Sequence, residues 1–196
     1  MISINNGVYT TVIAKNRVNG NREKNDFYAT APEATEKLLK VQEFSKNIWE
    51  CACGAGHISK VLQSGGYDVK STDLIYRGYG ETESYDFLKN NNIEYAAGKD
   101  IITNPPYKYA TEFVEKSLDS IQEGHKVAMF LKLTFLEGQK RKLLFKKYPP
   151  RYVYVFSKRV NCAMNGEFEK YGNNAVAYAW FIWIKGYNGE PVIRWI

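Results

Sequence analysis

The residues best suited to chemistry are four consecutive ones, Asn104-Pro105-Pro106-Tyr107, which follow a short apolar run. A strand in that position would deliver Asn104 to its carboxyl end, where ligands bind in open α/β sheets. The prolines fix the backbone direction and remove two N–H groups, which leaves the Pro105 carbonyl free to point into a site. The Asn104 side-chain oxygen and that carbonyl then offer two acceptors to one amino group, while Tyr107 offers a flat face to the attached ring.

Two acceptors on one amine can draw its nitrogen out of conjugation with a ring and direct the lone pair at an electrophile. The attacked amine becomes positively charged in the transition state, where carbonyl dipoles stabilise it more strongly. An activated electrophile needs no strong base, so the protein contributes positioning and electrostatics. Asp in place of Asn104 keeps an acceptor oxygen, and the pattern predicts that it retains activity. A plain turn is the alternative, because Asn-Pro-Pro is a favourable turn sequence.

A second candidate site is the turn that runs from Glu50 to Gly56 and contains Gly-x-Gly. Its glycines allow a tight backbone turn and the close approach of a ligand. About twenty residues further on, Asp73 ends the next predicted strand, where a carboxylate can accept hydrogen bonds from both ribose hydroxyls of a nucleoside cofactor. Ser59 stands where the dinucleotide fingerprint has its third glycine, which favours a cofactor without a pyrophosphate.

These residues need a frame of strands and helices, and the hydrophobic pattern predicts one. The predicted helices are Thr30–Val41, His57–Gln63, Tyr109–Ile121 and Glu137–Phe145. The predicted strands are Asn47–Cys53, Tyr67–Leu74, Asp100–Thr103, Val127–Lys132, Arg151–Ser157 and Ala175–Ile184. This alternation indicates an α/β fold, a mostly parallel sheet with helices on both faces. The last two strands have no helix between them, so we expect an antiparallel C-terminal hairpin at one edge.

Length and composition fit one domain. The chain has 196 residues, of which 44% are hydrophobic, and this length allows a sizeable core. Residues 1–26 are polar and weakly periodic, so we expect an arm there and a single domain over residues 27–196. The net charge of +6 favours polyanionic partners such as nucleic acid.

The cysteines and the chain start argue against several other classes of protein. Cys51, Cys53 and Cys162 have no second pair or histidine cluster to complete a zinc site, so we expect free thiols and no metal. The polar start carries no leader-like apolar run, and no stretch is long enough to span a membrane. We therefore expect a soluble, cytoplasmic protein.

With the glycine turn preceding Asn104-Pro105-Pro106-Tyr107, the sequence resembles the phage-type DNA N6-adenine methyltransferases, small members of the class I S-adenosylmethionine fold. The resemblance runs from about Asp26 to the C-terminus. It is also carried by the segments Phe27–Thr30, Phe135–Gly138, Phe156–Val160, Asn161–Gly166 and Trp180–Phe181. It implies a Rossmann-like sheet, S-adenosylmethionine as cofactor, double-stranded DNA as partner, and methyl transfer to N6 of a flipped-out adenine.

The resemblance also implies roles for matching positions. Asp73 resembles the ribose acid, Asp86 an acceptor for the cofactor's adenine amino group, and Phe87 a residue that packs on that ring. Tyr28 and Thr30 resemble a segment that reaches the methionine end. The cofactor residues expected in all are Tyr28, Thr30, Glu50, Cys51, Gly54, Gly56, Asp73, Leu74, Asp86, Phe87 and Asn104. The catalytic residues expected are Asn104, Pro105, Pro106 and Tyr107.

The sequence departs from the family pattern at two places. The loop acid is usually followed by Pro, where this chain has Cys51, and Thr30 is often followed by Pro-Pro, where this chain has Ala31-Pro32. Neither change removes an acceptor that the chemistry needs. The family pattern therefore says least about the contacts that Cys51 and Ala31-Pro32 make.

An adenine in a duplex must be flipped out to reach such a site, and lysines or arginines at the mouth would bind phosphates. The predicted nucleic-acid-binding residues are Lys108, Lys158 and Arg159. The basic run Lys140–Lys147 is more typical of a solvated helix face. The predicted loop Asn161–Asn174 carries Phe168 and Tyr171, which either cover the site or lie on the surface.

Two alternatives stay open at the level of sequence. Asn-Pro-Pro-Tyr also occurs in N6-methyltransferases for RNA adenines and in N5-methyltransferases for glutamine side chains of proteins. The positive charge favours nucleic acid, and DNA over RNA rests on the resemblance alone. The other alternative is an inactive binding module, which the intact Asn104–Tyr107 and Asp73 oppose. We expect a monomer or a weak dimer.

Overall fold

The computed structural model describes residues 27–164, 166, 168 and 176–196. The predicted N-terminal arm over residues 1–26 lies outside the described residues, and so does Tyr171 of the predicted loop. No helix within the described ranges is long and apolar enough to cross a membrane.

The centre of the fold is a seven-stranded sheet, accompanied by a two-stranded ribbon. The strands of the described residues are β1 (Tyr28–Thr30), β2 (Asn47–Glu50), β3 (Asp68–Ser71), β4 (Asp100–Thr103), β5 (Lys126–Lys132), β6 (Tyr152–Val155), β7 (Cys162–Met164), β8 (Tyr178–Ile184) and β9 (Val192–Trp195). The order in the large sheet is β3-β2-β4-β5-β8-β6-β9. β1 and β7 pair with each other and form the ribbon.

Helices cover the sheet between its strands. The α-helices of the described residues are α1 (Pro32–Val41), α2 (His57–Ser64), α3 (Ile93–Ala96), α4 (Ala110–Ser120) and α5 (Gln139–Lys147). Short 3-10 helices, Tyr107–Tyr109 and Leu133–Leu136, follow β4 and β5. Pro32 opens α1, a position where its missing N–H leaves no helical hydrogen bond unmade.

The strands β3, β2, β4 and β5 are parallel, which confirms the predicted α/β architecture. All four residues of β4 are buried, as is typical of a parallel strand covered on both faces. The carboxyl ends of these strands open at one edge of the sheet, where ligands bind in such folds. Asn104 follows β4 directly and therefore lies at that edge.

Two predicted strands end earlier than the hydrophobic pattern indicates. β2 ends at Glu50 rather than Cys53, and β3 ends at Ser71 rather than Leu74. The segments that follow β2 and β3 still run side by side, because the Cys53 N–H donates to the Thr72 carbonyl at 3.0 Å. The residues just past these strand ends are thereby free to turn into the carboxyl edge.

The antiparallel pairing predicted for the C-terminal half is confirmed, since β8 is antiparallel to both β5 and β6. The prediction that this hairpin forms the sheet edge is wrong, because β9 pairs with β6 in parallel on its outer side. β9 lacks the buried residues that mark the strands at the centre of the sheet: Ile193 and Trp195 are 50% and 71% exposed. Hydrophobic periodicity therefore could not identify it.

The ribbon replaces two predicted features. Tyr28–Thr30 form β1 before the helix, and Cys162–Met164 form β7 inside the segment predicted as the loop Asn161–Asn174. Thr30 lies opposite Cys162 in this antiparallel pair. Three-residue strands are too short to show alternation, so this pairing depends on tertiary contacts that the sequence pattern does not display.

Large apolar side chains fill both faces of the sheet. Trp49 and Phe181 belong to a buried cluster on one face, and Phe130 and Trp180 to a buried cluster on the other. The Trp180 Nε1–H donates to the Ala34 carbonyl at 2.9 Å, so burial of this indole leaves no unsatisfied donor. Close packing on both faces fixes the strand ends that carry the site.

Candidate active site

A cavity of about 630 Å³ opens at the carboxyl edge of the parallel strands. Most of the predicted site residues line it: Tyr28, Thr30, Glu50, Cys51, Asp73, Leu74, Asp86, Phe87, Asn104, Pro105, Pro106, Tyr107 and Lys108. The predicted residues outside its lining are Gly54, Gly56, Lys158 and Arg159. The structure therefore brings the two candidate sites of the sequence together in one cavity.

Asn104 is held against the ribbon by its side-chain amide. Its Nδ2 donates to the Tyr28 carbonyl at 2.8 Å and to the Thr30 hydroxyl at 2.9 Å. A backbone carbonyl can only accept, so the nitrogen end of the amide faces the ribbon. The described residues donate no hydrogen bond to Asn104 Oδ1, which leaves that oxygen for a ligand. The Thr30 hydroxyl, which the resemblance expects to serve the cofactor, accepts this hydrogen bond from Asn104 and also lines the cavity.

This geometry opposes the expectation that Asp at position 104 retains activity. One of the groups facing Nδ2 is the Tyr28 carbonyl, which can only accept, and a carboxylate has no proton to donate to it. An Asp there would place oxygen against the Tyr28 carbonyl. The hydrogen bond from Asn104 Nδ2 to the Tyr28 carbonyl therefore orients the side chain so that its Oδ1 points away from the ribbon.

The carbonyls of the two prolines differ in their hydrogen bonding. The Pro106 carbonyl accepts the Tyr109 N–H at 2.8 Å and starts the 3-10 helix. The Pro105 carbonyl accepts no hydrogen bond from the described part of the chain. Pro105 also lines the cavity beside Asn104, so the chain offers two unused acceptors at adjacent positions, as the sequence predicts.

Tyr107 lies among aromatic and basic side chains. Its ring stacks near Tyr28, with centroids 6.2 Å apart, and lies 6.0 Å from Tyr178. The Lys132 ammonium is 5.0 Å from its ring centroid, within the range of a cation–π contact. Its hydroxyl is 3.4 Å from Cys162 Sγ. Burial raises the pKa of Tyr107 well above its ordinary value, so the phenol stays protonated.

The glycine turn is built as predicted, but aromatic rings fill the space beside it. Gly54 and Gly56 have φ values of 54° and 79°, a region that favours glycine. A Cβ on Gly54 would overlap the ring of Phe27, and one on Gly56 the ring of Tyr79. The space that a Cβ would need beside these glycines is therefore occupied by aromatic side chains of the protein.

Asp73 lies at the predicted strand end with both carboxylate oxygens anchored. Oδ2 accepts the Gly54 N–H at 2.8 Å and Oδ1 accepts the Ile75 N–H at 2.9 Å. Each carboxylate oxygen can accept more than one hydrogen bond. Asp73 can therefore hold the glycine turn and still accept from a diol in the cavity.

Glu50 is a buried carboxyl on the cavity floor, only 1% exposed. Burial raises its pKa to about 8, a shift that the hydrogen bond from the Ser59 hydroxyl opposes and the nearby charge of Asp73 supports. The Ser59 hydroxyl also lies 2.6 Å from the Ser71 hydroxyl. Burial likewise raises the pKa of the adjacent Cys51 thiol, so this floor is uncharged near neutral pH.

Asp86 and Phe87 form a side wall of the cavity. Asp86 Oδ1 accepts the backbone N–H groups of Leu88 and Lys89, both at 3.2 Å. Its Oδ2 lies 3.2 Å from the Lys89 ammonium. Phe87 stacks on Phe113, with centroids 4.8 Å apart, and lines the cavity. This wall thus offers an acidic group beside an aromatic one.

Sequence reasoning missed His57, which opens α2 and lines the cavity. Its Nδ1 is buried without a hydrogen-bond partner in the described residues. Burial lowers the pKa of His57, and the charge of Lys60 lowers it further, so the ring is neutral near pH 7. The signal was its place directly after the second glycine of the turn, at a helix start.

The predicted cations separate into two groups. Lys108 is exposed at the rim of the cavity, while Lys158 and Arg159 lie outside it. Arg159 lines a neighbouring depression that also contains Lys132. Lys132 lies between the depression and the cavity, because its ammonium lies over the ring of Tyr107, which lines the cavity. Its position at the carboxyl end of β5 is the signal that sequence reasoning passed over.

The fold agrees with known structures, whereas family models and curated proteins yield no match. A TehB-like S-adenosylmethionine-dependent methyltransferase from Corynebacterium glutamicum is similar over 90% of this chain and 98% of that one, with a TM-score of 0.53 and 12% identity. A protein from Listeria monocytogenes assigned to the class I S-adenosylmethionine-dependent methyltransferases is similar over 84% of this chain, with a TM-score of 0.53 and 13% identity.

The type IIG restriction endonuclease BpuSI is also similar, over 81% of this chain, with a TM-score of 0.54 and 13% identity. The matches cover 62% of the Listeria protein and 24% of BpuSI, so this chain corresponds to only part of each. Likeness at such low identity concerns the fold. The sheet order, the helices on both faces and these neighbours together show that the chain has the class I methyltransferase fold.

Proposed function

We propose that this chain is an S-adenosylmethionine-dependent methyltransferase that methylates N6 of adenine in DNA. The observation that carries the proposal is the orientation of Asn104. Its amide nitrogen is bound by Tyr28 and Thr30, while no donor among the described residues reaches its oxygen or the Pro105 carbonyl, and both residues line the same cavity. Two adjacent acceptors without donors suit a primary amine, which has two N–H groups to donate.

The cavity lining fits the proposed cofactor. Asp73 has spare acceptor capacity for a ribose diol, and Phe87 and Asp86 suit a ring that carries an amino group. The Nδ1 of His57, which has no hydrogen-bond partner among the described residues, supports a polar ligand group at the glycine-turn end. When bound, S-adenosylmethionine would supply a methyl group already activated by a sulfonium.

Asn104 and Pro105 would perform the part of the chemistry that belongs to the protein. Their two oxygens accept the two N–H groups of the substrate amine and so hold its lone pair away from the ring. As the nitrogen becomes positively charged, the same oxygens bind it more strongly, which is selective stabilisation of the transition state. The uncharged floor around Glu50 keeps this corner of the cavity weakly polar, which strengthens such contacts.

The choice of a flat base in nucleic acid rests on Tyr107 and on charge. Tyr107 lines the cavity next to Asn104 and can stack on a ring whose amine faces the acceptors. The net charge is +6, and Lys108, Lys132 and Arg159 lie near the Tyr107 side of the site. Cations there suit the phosphates that flank a flipped nucleotide.

The experiment is methyl transfer from labelled S-adenosylmethionine to unmethylated duplex DNA by the purified protein, followed by nucleoside mass spectrometry. We expect label in N6-methyladenine, and modification-sensitive sequencing would then give the target sequence. Total RNA and a protein mixture serve as competing acceptors in parallel reactions. Label in RNA adenine or in glutamine with none in DNA would overturn the DNA assignment.

A further inference from the structure

The ribbon, formed by Tyr28–Thr30 and Cys162–Met164, contacts the catalytic motif at more than one point. Asn104 Nδ2 lies 2.8 Å from the Tyr28 carbonyl, 2.9 Å from the Thr30 hydroxyl and 3.6 Å from Cys162 Sγ. Cys162 Sγ also lies 3.4 Å from the Tyr107 hydroxyl. One buried thiol therefore touches both the amide and the aromatic residue of the motif.

The register of the ribbon explains why these groups converge. Thr30 and Cys162 are partners in the antiparallel pair, so their side chains lie on the same face of the ribbon. Thr30 is 2% exposed and Cys162 3% exposed. The face that carries them contacts the amide nitrogen of Asn104, which is itself half-buried at the cavity.

We propose that Thr30 and Cys162 are positioning residues that set the orientation of the Asn104 amide and the place of the Tyr107 ring. The inference rests on the proposed function, because it assumes that Asn104 Oδ1 and Tyr107 meet the substrate. Neither residue touches the substrate amine itself. They act by occupying the nitrogen end of the amide, so that its oxygen end faces the cavity.

An amide side chain that rotates by half a turn exchanges its oxygen for its nitrogen. In the flipped state, a donor would face the N–H groups of the substrate amine, and an oxygen would face the Tyr28 carbonyl. The Tyr28 carbonyl opposes that state because it can only accept, and Thr30 and Cys162 hold the amide nitrogen beside that carbonyl. Loss of Thr30 alone should therefore weaken the preference and slow transfer about two- to tenfold, the range for one hydrogen bond.

The thiol should contribute less than the hydroxyl, because sulfur is a weak acceptor and its contacts are longer. Its contribution is distinctive in another way, since it reaches Asn104 and Tyr107 at once. Burial raises the pKa of Cys162, so the group that makes these contacts is the neutral thiol. Serine in its place keeps a donor and acceptor, whereas alanine removes both.

The test compares Thr30→Val, Thr30→Ser, Cys162→Ala and Cys162→Ser with the native chain. We would measure kcat and KM on duplex DNA, the Kd for S-adenosylhomocysteine by calorimetry, and Tm. The matched control is Thr35→Val, since Thr35 is also a buried threonine and its hydroxyl has no hydrogen-bond partner in the described residues. The side-chain amide protons of Asn104 would be followed by 15N NMR, assigned from the Asn104→Asp spectrum.

We expect Thr30→Val and Cys162→Ala to lower kcat while the Kd for S-adenosylhomocysteine stays within about twofold, less than the loss of one hydrogen bond. The serine variants should recover most of kcat, and Thr35→Val should behave like the native chain. The Asn104 amide protons should exchange with solvent faster in Thr30→Val. Unchanged kcat and unchanged amide exchange in the alanine and valine variants would overturn the inference.

The NMR measurement separates this inference from the proposed function. If the native chain methylates no DNA, the proposed function fails, yet the amide exchange still reports whether Thr30 and Cys162 hold Asn104. If the native chain methylates DNA and the amide is unprotected, the proposed function stands and the positioning roles fail. A matching loss of kcat in Thr35→Val would also overturn the inference, because it would show that general packing is responsible.

Discussion

Two regions of the cavity hold their polar groups in different ways. At the catalytic corner, which consists of Tyr28, Thr30, Asn104, Tyr107 and Cys162, the hydrogen bonds of Asn104 reach residues 58 to 76 positions away. The nucleoside wall consists of Asp73, Asp86 and Phe87. There the carboxylates bind backbone N–H groups that are mostly two or three positions away.

The two regions differ in the stage of folding at which their polar side chains gain their hydrogen-bond partners. A carboxylate held by its own turn is placed as soon as that turn forms, because the contacts are local. The catalytic corner requires the ribbon to close and to pack against the end of β4 before the Asn104 amide has its partners. The nucleoside wall should therefore tolerate a loosened ribbon, whereas the catalytic corner should not.

The largest effect is expected for Asn104→Ala. It deletes one of the two acceptors for the substrate amine and should slow methyl transfer by about a hundredfold or more, as loss of one preorganised transition-state partner does. Asn104→Asp should also be slow, because its carboxylate cannot donate to the Tyr28 carbonyl. Single-turnover transfer of labelled methyl to duplex DNA measures both rates.

The control for both variants is the affinity for S-adenosylhomocysteine, which should stay close to the native value because the nucleoside wall is intact. A near-native rate for Asn104→Ala would remove Asn104 from the chemistry. A near-native rate for Asn104→Asp alone would show that the donor end of the amide is dispensable, and the contrast between the two regions would then disappear.

Local sequence patterns predict Asp73 of the nucleoside wall, whereas Asp86 and Phe87 follow only from the resemblance. Asp73 follows an apolar strand and Gly-x-Gly precedes a helix, and both signals lie within short windows. Asn104-Pro105-Pro106-Tyr107 is equally visible, but its partner Cys162 is not, since three-residue strands show no period. Thr30 illustrates the gap: its position in the site was predicted, but its bond to Asn104 was not.

Asp73→Ala should have the next largest effect and should act on the other region. Losing the hydrogen bonds that the ribose hydroxyls would donate to the charged carboxylate should weaken cofactor binding by roughly 1.5–3 kcal/mol. Asp73→Asn, which keeps one acceptor oxygen for the backbone, should lose less. Calorimetry with S-adenosylhomocysteine measures both, and native affinity in a folded Asp73→Ala variant would exclude Asp73 from the site.

Tyr107→Ala tests whether the catalytic corner binds a flat base. The lost stack should weaken productive DNA binding by about 1–3 kcal/mol, with the affinity for S-adenosylhomocysteine preserved. Tyr107→Phe keeps the ring and loses the contacts of the hydroxyl with the Cys162 thiol and with Tyr178, so it should lose much less than Tyr107→Ala. Equal losses in the two variants would mean that the hydroxyl matters, and that stacking is not the function of this ring.

The smallest effect is expected for Asp86, because its carboxylate makes one proposed bond to the cofactor's adenine. Asp86→Ala should weaken binding of S-adenosylhomocysteine by about 0.5–1.5 kcal/mol, the value of a single hydrogen bond. Asp86 also pairs with Lys89, whose side chain is 84% exposed, and an exposed pair contributes about 0–1 kcal/mol. Lys89→Ala is therefore the matched control: it breaks the same ion pair and leaves the acceptor in place. If Lys89→Ala weakens binding as much as Asp86→Ala, the effect belongs to the ion pair between the two side chains, and a direct contact of Asp86 with the adenine is excluded.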